Sequence, residues 1–374
     1  MKVLIAAAGT GGHINPGIAI ANKIKENNPK ARIIFVGTDR GLENDLVPRA
    51  GFELEKLDVY GFSKEISINN MKKMVKTLKG FSKAKELIEK IKPDIVIGTG
   101  GYICGPVGFA AVKSKIPVIL HESNAFPGMA IKMLSKKADK ILLGFEDAKP
   151  RFKKAKKLVV TGTPTKFVGL KLSETEINAK KAELGFKNNL PLVLVFGGSQ
   201  GAQAINKTII DIIEKKSNSN YQILWASGPK QYDIIKEELE NKKININNIE
   251  NVKIFPYIYN MEEIMQLSDL VVSRSGAMTI TEIAIAGKPA IFIPLPSKSA
   301  NRQEDNARAM EKVDAAKVIL NEDINENILN STINEIISDK NNMKKMGENA
   351  KKLAIQNVED KIYEELKEYI EKVQ

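Results

Sequence analysis

Short apolar runs alternate with longer helical patterns from the first residues onward, which is the signature of parallel βαβ units. In the first half, Val3–Ala7, Ile33–Val36, Ile95–Ile97, Val118–Leu120 and Ile141–Leu143 are brief and rich in β-branched residues. Such runs predict strands buried on both faces of a parallel sheet. A second series, Leu192–Phe196, Ile223–Trp225, Val252–Phe255, Leu270–Val272 and Ala290–Ile293, repeats the pattern. Between the two lie the turn Thr161-Gly162-Thr163-Pro164 and a polar helical stretch near 173–185. The chain therefore reads as an α/β protein of two Rossmann-like domains joined near residue 164, with the active site expected in the cleft between them. The expected division is 1–164, 165–356 and a terminal helix in 357–374. That helix repeats Ile362, Leu366, Tyr369 and Val373 at helical spacing and is expected to pack back on the first domain.

One segment combines apolar and basic character. Phe62–Phe81 sets Ile66, Ile68, Met71, Met74, Val75 and Leu78 among Lys64, Lys72, Lys73, Lys76 and Lys79. It reads either as an amphipathic helix on the sheet or as an interfacial patch for anionic lipid. Charge adds weight to an anionic partner. The 374-residue chain carries +12 overall, but residues 1–166 hold 30 basic against 15 acidic side chains, whereas 167–374 hold 27 against 30. A nucleic-acid-binding protein would interleave aromatics with its basic residues; aromatics are only 6% here, and nucleic acid is not expected. One cysteine, Cys104, excludes an intrachain disulfide, and two histidines leave little for a metal cluster, which fits a reducing cytoplasm. No run approaches the roughly 18 apolar residues of a membrane span.

The candidate chemistry sits where strands end. The first strand runs into Gly9-Thr10-Gly11-Gly12-His13-Ile14-Asn15-Pro16, where glycines let a ligand approach helix-start amides and the helix dipole favours negative charge. The spacing is not that of a dinucleotide fingerprint, and no acidic residue is clearly placed after the second strand to hold a ribose. His13 reads as a general base, with a backbone-satisfied structural histidine as the alternative. Further strands end in Gly98-Thr99-Gly100-Gly101-Tyr102 and in His121-Glu122-Ser123-Asn124. His121 and Glu122 either hold these loops or act directly, Glu122 being the second candidate for proton transfer.

In the second half, Gly197-Gly198-Ser199-Gln200-Gly201-Ala202 follows a strand and opens a helix, a suitable cradle for a diphosphate. It lacks the Gly-Lys-Ser/Thr of a P-loop. The stretch Ser273-Arg274-Ser275-Gly276-Ala277-Met278-Thr279-Ile280-Thr281-Glu282 again follows a strand. Glu282 can pair with ribose hydroxyls or merely complement the helix dipole. The loop Asn301-Arg302-Gln303 brings side chains able to read sugar hydroxyls. No Asp-x-Asp tripeptide occurs, so no metal site is evident and no cofactor is expected.

With these motifs in order and at these spacings over essentially the whole chain, the sequence resembles the MurG family of peptidoglycan N-acetylglucosaminyltransferases, of the GT-B superfamily. The resemblance implies a UDP-GlcNAc-dependent hexosyltransferase that passes GlcNAc to the 4-hydroxyl of MurNAc in lipid I, with inversion, forming lipid II. It implies donor diphosphate at Ser199 and Lys166, uracil at the backbone near Ile258, and ribose at Glu282. Donor-site contacts fall to Asn124, Ala277, Met278, Thr279, Ile280, Thr281 and Gln303, with the Thr10, Gly11 and Gly12 amides near donor or acceptor phosphates. His13 is the candidate base. Expected partners are UDP-GlcNAc, lipid I, an anionic inner-leaflet surface holding the enzyme peripherally, and other cell-wall synthesis proteins. Two positions depart from the pattern. Lys166 stands where many relatives carry arginine, which keeps charge but loses bidentate phosphate recognition, and Glu304 stands where some carry glutamine. A diacylglycerol glycosyltransferase and a UDP-GlcNAc epimerase are the related alternatives; the Gly-Gly-His-Ile-Asn-Pro run argues against both.

Overall fold

A computed structural model describes residues 1–60, 68–198, 201–245, 249, 251–296 and 302–371, with side chains for all of these but 68–76 and 78. The chain divides into two units, Met1–Lys166 with Ile355–Gln374, and Phe167–Ala354.

The first unit is built on seven parallel strands: β1 (Lys2–Ala7), β2 (Arg32–Gly37), β3 (Glu53–Lys56), β4 (Ile95–Gly100), β5 (Val118–Glu122), β6 (Lys140–Leu143) and β7 (Leu158–Val160). Their order across the sheet is β3-β2-β1-β4-β5-β6-β7. Helices α1 (Gly11–Asn27), α2 (Glu43–Arg49), α3 (Ile68–Ile91), α4 (Cys104–Lys113) and α5 (Met129–Leu134) connect them. Successive strand residues face opposite ways, so the unbroken apolar runs feed two cores. Leu4, Ala6, Val96 and Leu120 pack with Ile88, Val107 and Leu134 of α3, α4 and α5. Val3, Ile5, Phe35 and Ile97 pack on the opposite face with Ile14, Ile20 and Ile24 of α1.

The second unit has six parallel strands: β8 (Leu192–Phe196), β9 (Gln222–Ala226), β10 (Val252–Phe255), β11 (Leu270–Ser273), β12 (Ala290–Phe292) and β13 (Ala316–Val318), in the order β10-β9-β8-β11-β12-β13. Its helices are α6 (Glu174–Glu183), α7 (Gln203–Glu214), α8 (Pro229–Asn241), α9 (Met261–Leu267), α10 (Ala277–Ala286), α11 (Arg302–Glu311), α12 (Glu326–Ser338) and α13 (Lys340–Lys352). Val193, Val195, Ile223, Trp225 and Val272 form a core with Ile205, Ile209, Leu239 and Ile333. At α6 the sequence specifies its own start: the Ser173 hydroxyl accepts from Glu176 N, and the Glu176 carboxylate accepts from Ser173 N, a reciprocal cap.

The chain then returns to the first unit as α14 (Val358–Ile370), which buries Val358, Ile362, Leu366 and Ile370 against the α1 face. The buried stripe thus ends on Ile370, with Tyr369 half-buried at its side; Val373 lies outside the described residues. Lys140 of β6, only 1% exposed, anchors this helix through Nζ, which donates to Glu365 Oε2 and Glu365 O, both at 2.7 Å, and pairs with Glu368. Three strands, β3, β7 and β13, were not among the runs that the apolar pattern marks. All three are sheet edges.

Candidate active site

In each sheet the chain reverses direction once. From β1 it proceeds outward through β2 and β3, then crosses back to β4 on the other flank of β1; β8 and β11 stand in the same relation. Open parallel sheets bind ligands outside the strand carboxyl ends at that reversal, where two adjacent loops diverge. The loop pairs there are Gly9–Gly12 with Gly100–Tyr102 and, in the second unit, Gly197, Gly198, Gly201 and Ala202 with Arg274–Gly276. They are the glycine-rich motifs of the sequence.

In the first unit, Thr10 is the N-cap of α1 and its side chain makes no capping bond. Its carbonyl accepts from His13 N and Ile14 N, while the amides of Gly11 and Gly12 belong to the first turn, which has no intrahelical acceptors. His13 is half-buried. Its Nδ1 lies 3.0 Å from Ala8 O and 3.5 Å from Thr10 Oγ1. A carbonyl only accepts, so Nδ1 carries a proton, and in the neutral ring the lone pair is then on Nε2, the arrangement a general base needs. Gly100 and Gly101 serve this histidine: both have positive φ, and a Cβ would stand 2.3 Å from His13 Cδ2 or 2.4 Å from Ala8 O, respectively. Thr99 Oγ1 donates to His13 O at 2.8 Å and ties β4 to the start of α1.

The β5 loop is held from within. His121 is 1% exposed, its Nε2 donating to Gly162 O at 3.0 Å, and burial pushes its pKa down to about 4. Glu122, also buried, accepts at Oε1 from Asn124 N and Asn124 Nδ2 (2.9 Å each) and at Oε2 from Gly128 N (2.7 Å). Its carboxylate therefore shapes the loop that carries Asn124. Sequence reasoning found no acid clearly placed after the second strand. Glu43, at the start of α2, is one, but it is fully buried and turned inward, accepting from Gly9 N at 2.9 Å and from Thr38 N and Thr38 Oγ1 at 2.8 Å each. No motif marks it; the only signal is that its loop leaves β2 at the same sheet edge.

In the second unit, Gly276 caps α10 without a side-chain bond, leaving the amides of Ala277, Met278 and Thr279 in the first turn. Ile280 is 2% exposed, so a ligand could meet only its backbone. The Thr281 hydroxyl donates back to Ala277 O at 3.0 Å. Glu282, half-buried, follows in the second turn. Arg274 belongs to a motif whose spacing gives it no role of its own. It is 9% exposed, and its Nη1 donates to Ile293 O and Pro294 O, both at 2.9 Å, fixing the end of β12 beside α10; burial pulls its pKa below the ordinary arginine value. Ser275 Oγ donates to Gln303 O (2.7 Å) and Leu295 N to Gln303 Oε1 (2.9 Å), which joins Gln303 to the same cluster. The side chain of Ile258 is buried in a pocket of about 250 Å³ between α6 and α9, lined also by Leu224, Phe255, Tyr257 and Tyr259. Lys166, where the chain leaves the first unit, is exposed. Ser199, Gln200 and Asn301 lie outside the described residues. Among the described residues no group of three His, Cys, Asp or Glu side chains could hold a metal ion.

Two Rossmann-like units with parallel sheets, each with its glycine loops at the reversal point, define the GT-B architecture of glycosyltransferases. The chain belongs to glycosyltransferase family 28, whose N-terminal domain matches residues 3–143 and whose C-terminal domain matches 192–362. The UDP-N-acetylglucosamine--N-acetylmuramyl-(pentapeptide) pyrophosphoryl-undecaprenol N-acetylglucosamine transferase of Acetivibrio thermocellus is 42% identical over 369 residues, 98% of either chain. The crystal structure of Acinetobacter baumannii MurG matches with a TM-score of 0.78 at 25% identity, over 98% of this chain and 99% of that one. A UDP-GlcNAc 2-epimerase from Neisseria meningitidis, solved with UDP-GlcNAc, matches at 17% identity with a TM-score of 0.63 over 98% of this chain and 99% of its own, a likeness of fold alone.

Proposed function

We propose that the chain transfers GlcNAc from UDP-GlcNAc to the 4-hydroxyl of MurNAc in lipid I, forming lipid II for peptidoglycan synthesis with inversion at the anomeric carbon. The observation that carries this reading is the division of labour between the two reversal points: the first holds a histidine with a basic Nε2, the second an uncapped helix start followed by a carboxylate. His13 Nε2 takes the proton from the acceptor hydroxyl as its oxygen attacks the sugar C1 and the bond from C1 to the β-phosphate oxygen breaks. UDP departs with the charge it gains. The amides at the starts of α7 and α10, with Ser199 and Lys166, meet that charge without a metal. Glu282 holds the ribose, the backbone of Ile258 the uracil, and Asn124, Gln303 and the Ala277–Thr281 turn the donor sugar. The Thr10–Gly12 amides receive a phosphate of acceptor or donor, and Glu122 acts through the Asn124 loop. The 41–42% identity to full-length relatives named for this reaction supports the choice over epimerisation.

Lipid I is membrane-bound, so the enzyme must reach the bilayer surface. Among the described residues no helix is long and apolar enough to cross a membrane. The side chains of Lys72, Lys73 and Lys76, three lysines of the apolar and basic segment Phe62–Phe81, lie outside the described set. Nearby support comes from α5, which exposes Met129 (54%) and Met133 (46%) beside exposed Lys132, Lys136 and Lys137. Helix α4 packs against both α3 and α5, so the three helices lie on one face of the first unit's sheet.

Steady-state kinetics on two variants test the assignment. His13→Ala should lower kcat by roughly 10²- to 10⁴-fold at unchanged UDP affinity. Glu282→Ala should instead weaken UDP binding by about 1 to 3 kcal/mol, the range for a hydrogen bond to a charged group. A His13→Ala enzyme within a few-fold of wild type, or unchanged UDP affinity in a folded Glu282→Ala protein, would remove that residue from its role.

A further inference from the structure

One peptide group lies between His13 and a buried carboxylate. The Gly9 N–H donates to Glu43 Oε2 at 2.9 Å, and the carbonyl of that same peptide, Ala8 O, accepts from His13 Nδ1–H at 3.0 Å. The line therefore runs from carboxylate to amide to carbonyl to imidazole. Glu43 is fully buried, and its second oxygen is fixed by two donors from Thr38. Burial works to raise the Glu43 pKa, yet the amides of Gly9 and Thr38 and the Thr38 hydroxyl together hold it below the ordinary value, so the group is anionic at neutral pH. The surroundings accommodate this carboxylate closely: a Cβ at Gly41 would stand 2.0 Å from Oε2, and one at Gly37 would stand 2.5 Å from Cγ.

A peptide bond conducts polarisation. Drawing on the amide proton shifts electron density toward the carbonyl oxygen, and hydrogen bonds in series strengthen one another. A carboxylate that orients a histidine directly fixes its tautomer and stabilises the imidazolium. We propose that Glu43 is a positioning residue that does the same for His13 through the Ala8–Gly9 peptide group, holding the proton on Nδ1 and favouring the imidazolium formed when Nε2 takes the acceptor's proton. The catalytic part of this inference rests on His13 being the base. The coupling itself does not.

Other charged or titratable groups surround this turn. On the β2–α2 loop, Arg40 pairs with Asp39 and Asp58; at the end of β5, Glu122 is bound to its own loop; after β4 come Tyr102 and Cys104, whose thiol donates to Ala6 O and Gly100 O. From α14, Asp360 pairs with Lys23 further along α1. All of these are retained in Glu43→Gln, which removes the charge and keeps the shape.

The chain has two histidines, and His121 is buried with a pKa near 4, so the His13 ring can be followed by NMR titration of the full-length protein. In Glu43→Gln the His13 midpoint should fall by at least about half a unit, the direction expected on losing a nearby negative charge. Turnover should fall about 10- to 100-fold, as when outer-sphere partners of functional histidines are removed, while the KM for UDP-GlcNAc holds. An unmoved midpoint in a folded variant overturns the proposal, even if turnover falls. Should the variant not fold, ring ¹⁵N shifts of the wild-type protein decide: Nδ1–H is required, and Nε2–H in the neutral ring overturns it. If His13→Ala keeps its activity while the Glu43→Gln midpoint still moves, the coupling stands and the base assignment falls.

Discussion

His13 follows strand β1 and His121 lies near the end of β5, yet their surroundings differ in a way that sequence alone does not reveal. His13 sits half-buried at the start of a helix, and His121 is fully buried with its Nε2 on the Gly162 carbonyl. The pKa of His121 falls from 6.5 to about 4 on burial, so between those values the unfolded chain binds a proton that the folded chain refuses. Its contribution to stability is complete above pH 6.5 and is lost as pH falls toward 4, on the order of 3 kcal/mol in all. Denaturant unfolding at pH 7 and pH 4.5 should therefore show a smaller loss for His121→Gln than for wild type; parallel losses would deny His121 this role. The histidine, the glycine turns and Glu282 could be read from sequence because spacing after a strand carries the signal. Glu43 and Arg274 could not, because their partners, mostly backbone atoms, are brought close only by folding; that Glu122 holds its loop is one of the two readings the sequence leaves open.

Among the elements, what the apolar pattern revealed follows burial. Strands with neighbours on both sides, such as β1 and β8, are continuous apolar runs. Strand β3 reads Glu-Leu-Glu-Lys and lies at an edge, half exposed; β7 and β13 are three-residue edges. An edge strand needs little apolar surface and is often kept short or charged, which erases the pattern. Helix α14 was legible as a helix, but its anchor on Lys140 was not, since a buried lysine in a strand looks like an interruption. Lysines near an anionic leaflet contribute on the order of 1 kcal/mol each, an attraction that salt screens. Co-sedimentation with vesicles should accordingly require anionic lipid and weaken with salt. Glutamates at Lys132, Lys136 and Lys137 should reduce it while leaving UDP binding intact; equal binding to neutral vesicles would move the docking face elsewhere.

Across the whole molecule, the positive charge concentrates in residues 1–166, which hold His13, whereas 167–374 are slightly acidic and hold Glu282. That asymmetry suits an acceptor tethered to an anionic surface and a soluble donor recognised by helix starts rather than by bulk charge. Transfer of a sugar between these two substrates is the reaction proposed for the chain. It is tested most directly by incubating the full-length protein with radiolabelled UDP-GlcNAc and a lipid I analogue in the presence of EDTA, then determining where the label goes and its anomeric linkage. Label is expected in a lipid-linked disaccharide, joined to the muramyl 4-hydroxyl with inverted configuration and formed at an undiminished rate with the chelator. Label converted to a free or UDP-linked epimer without acceptor, or transfer that stops on chelation and returns with magnesium, would contradict it.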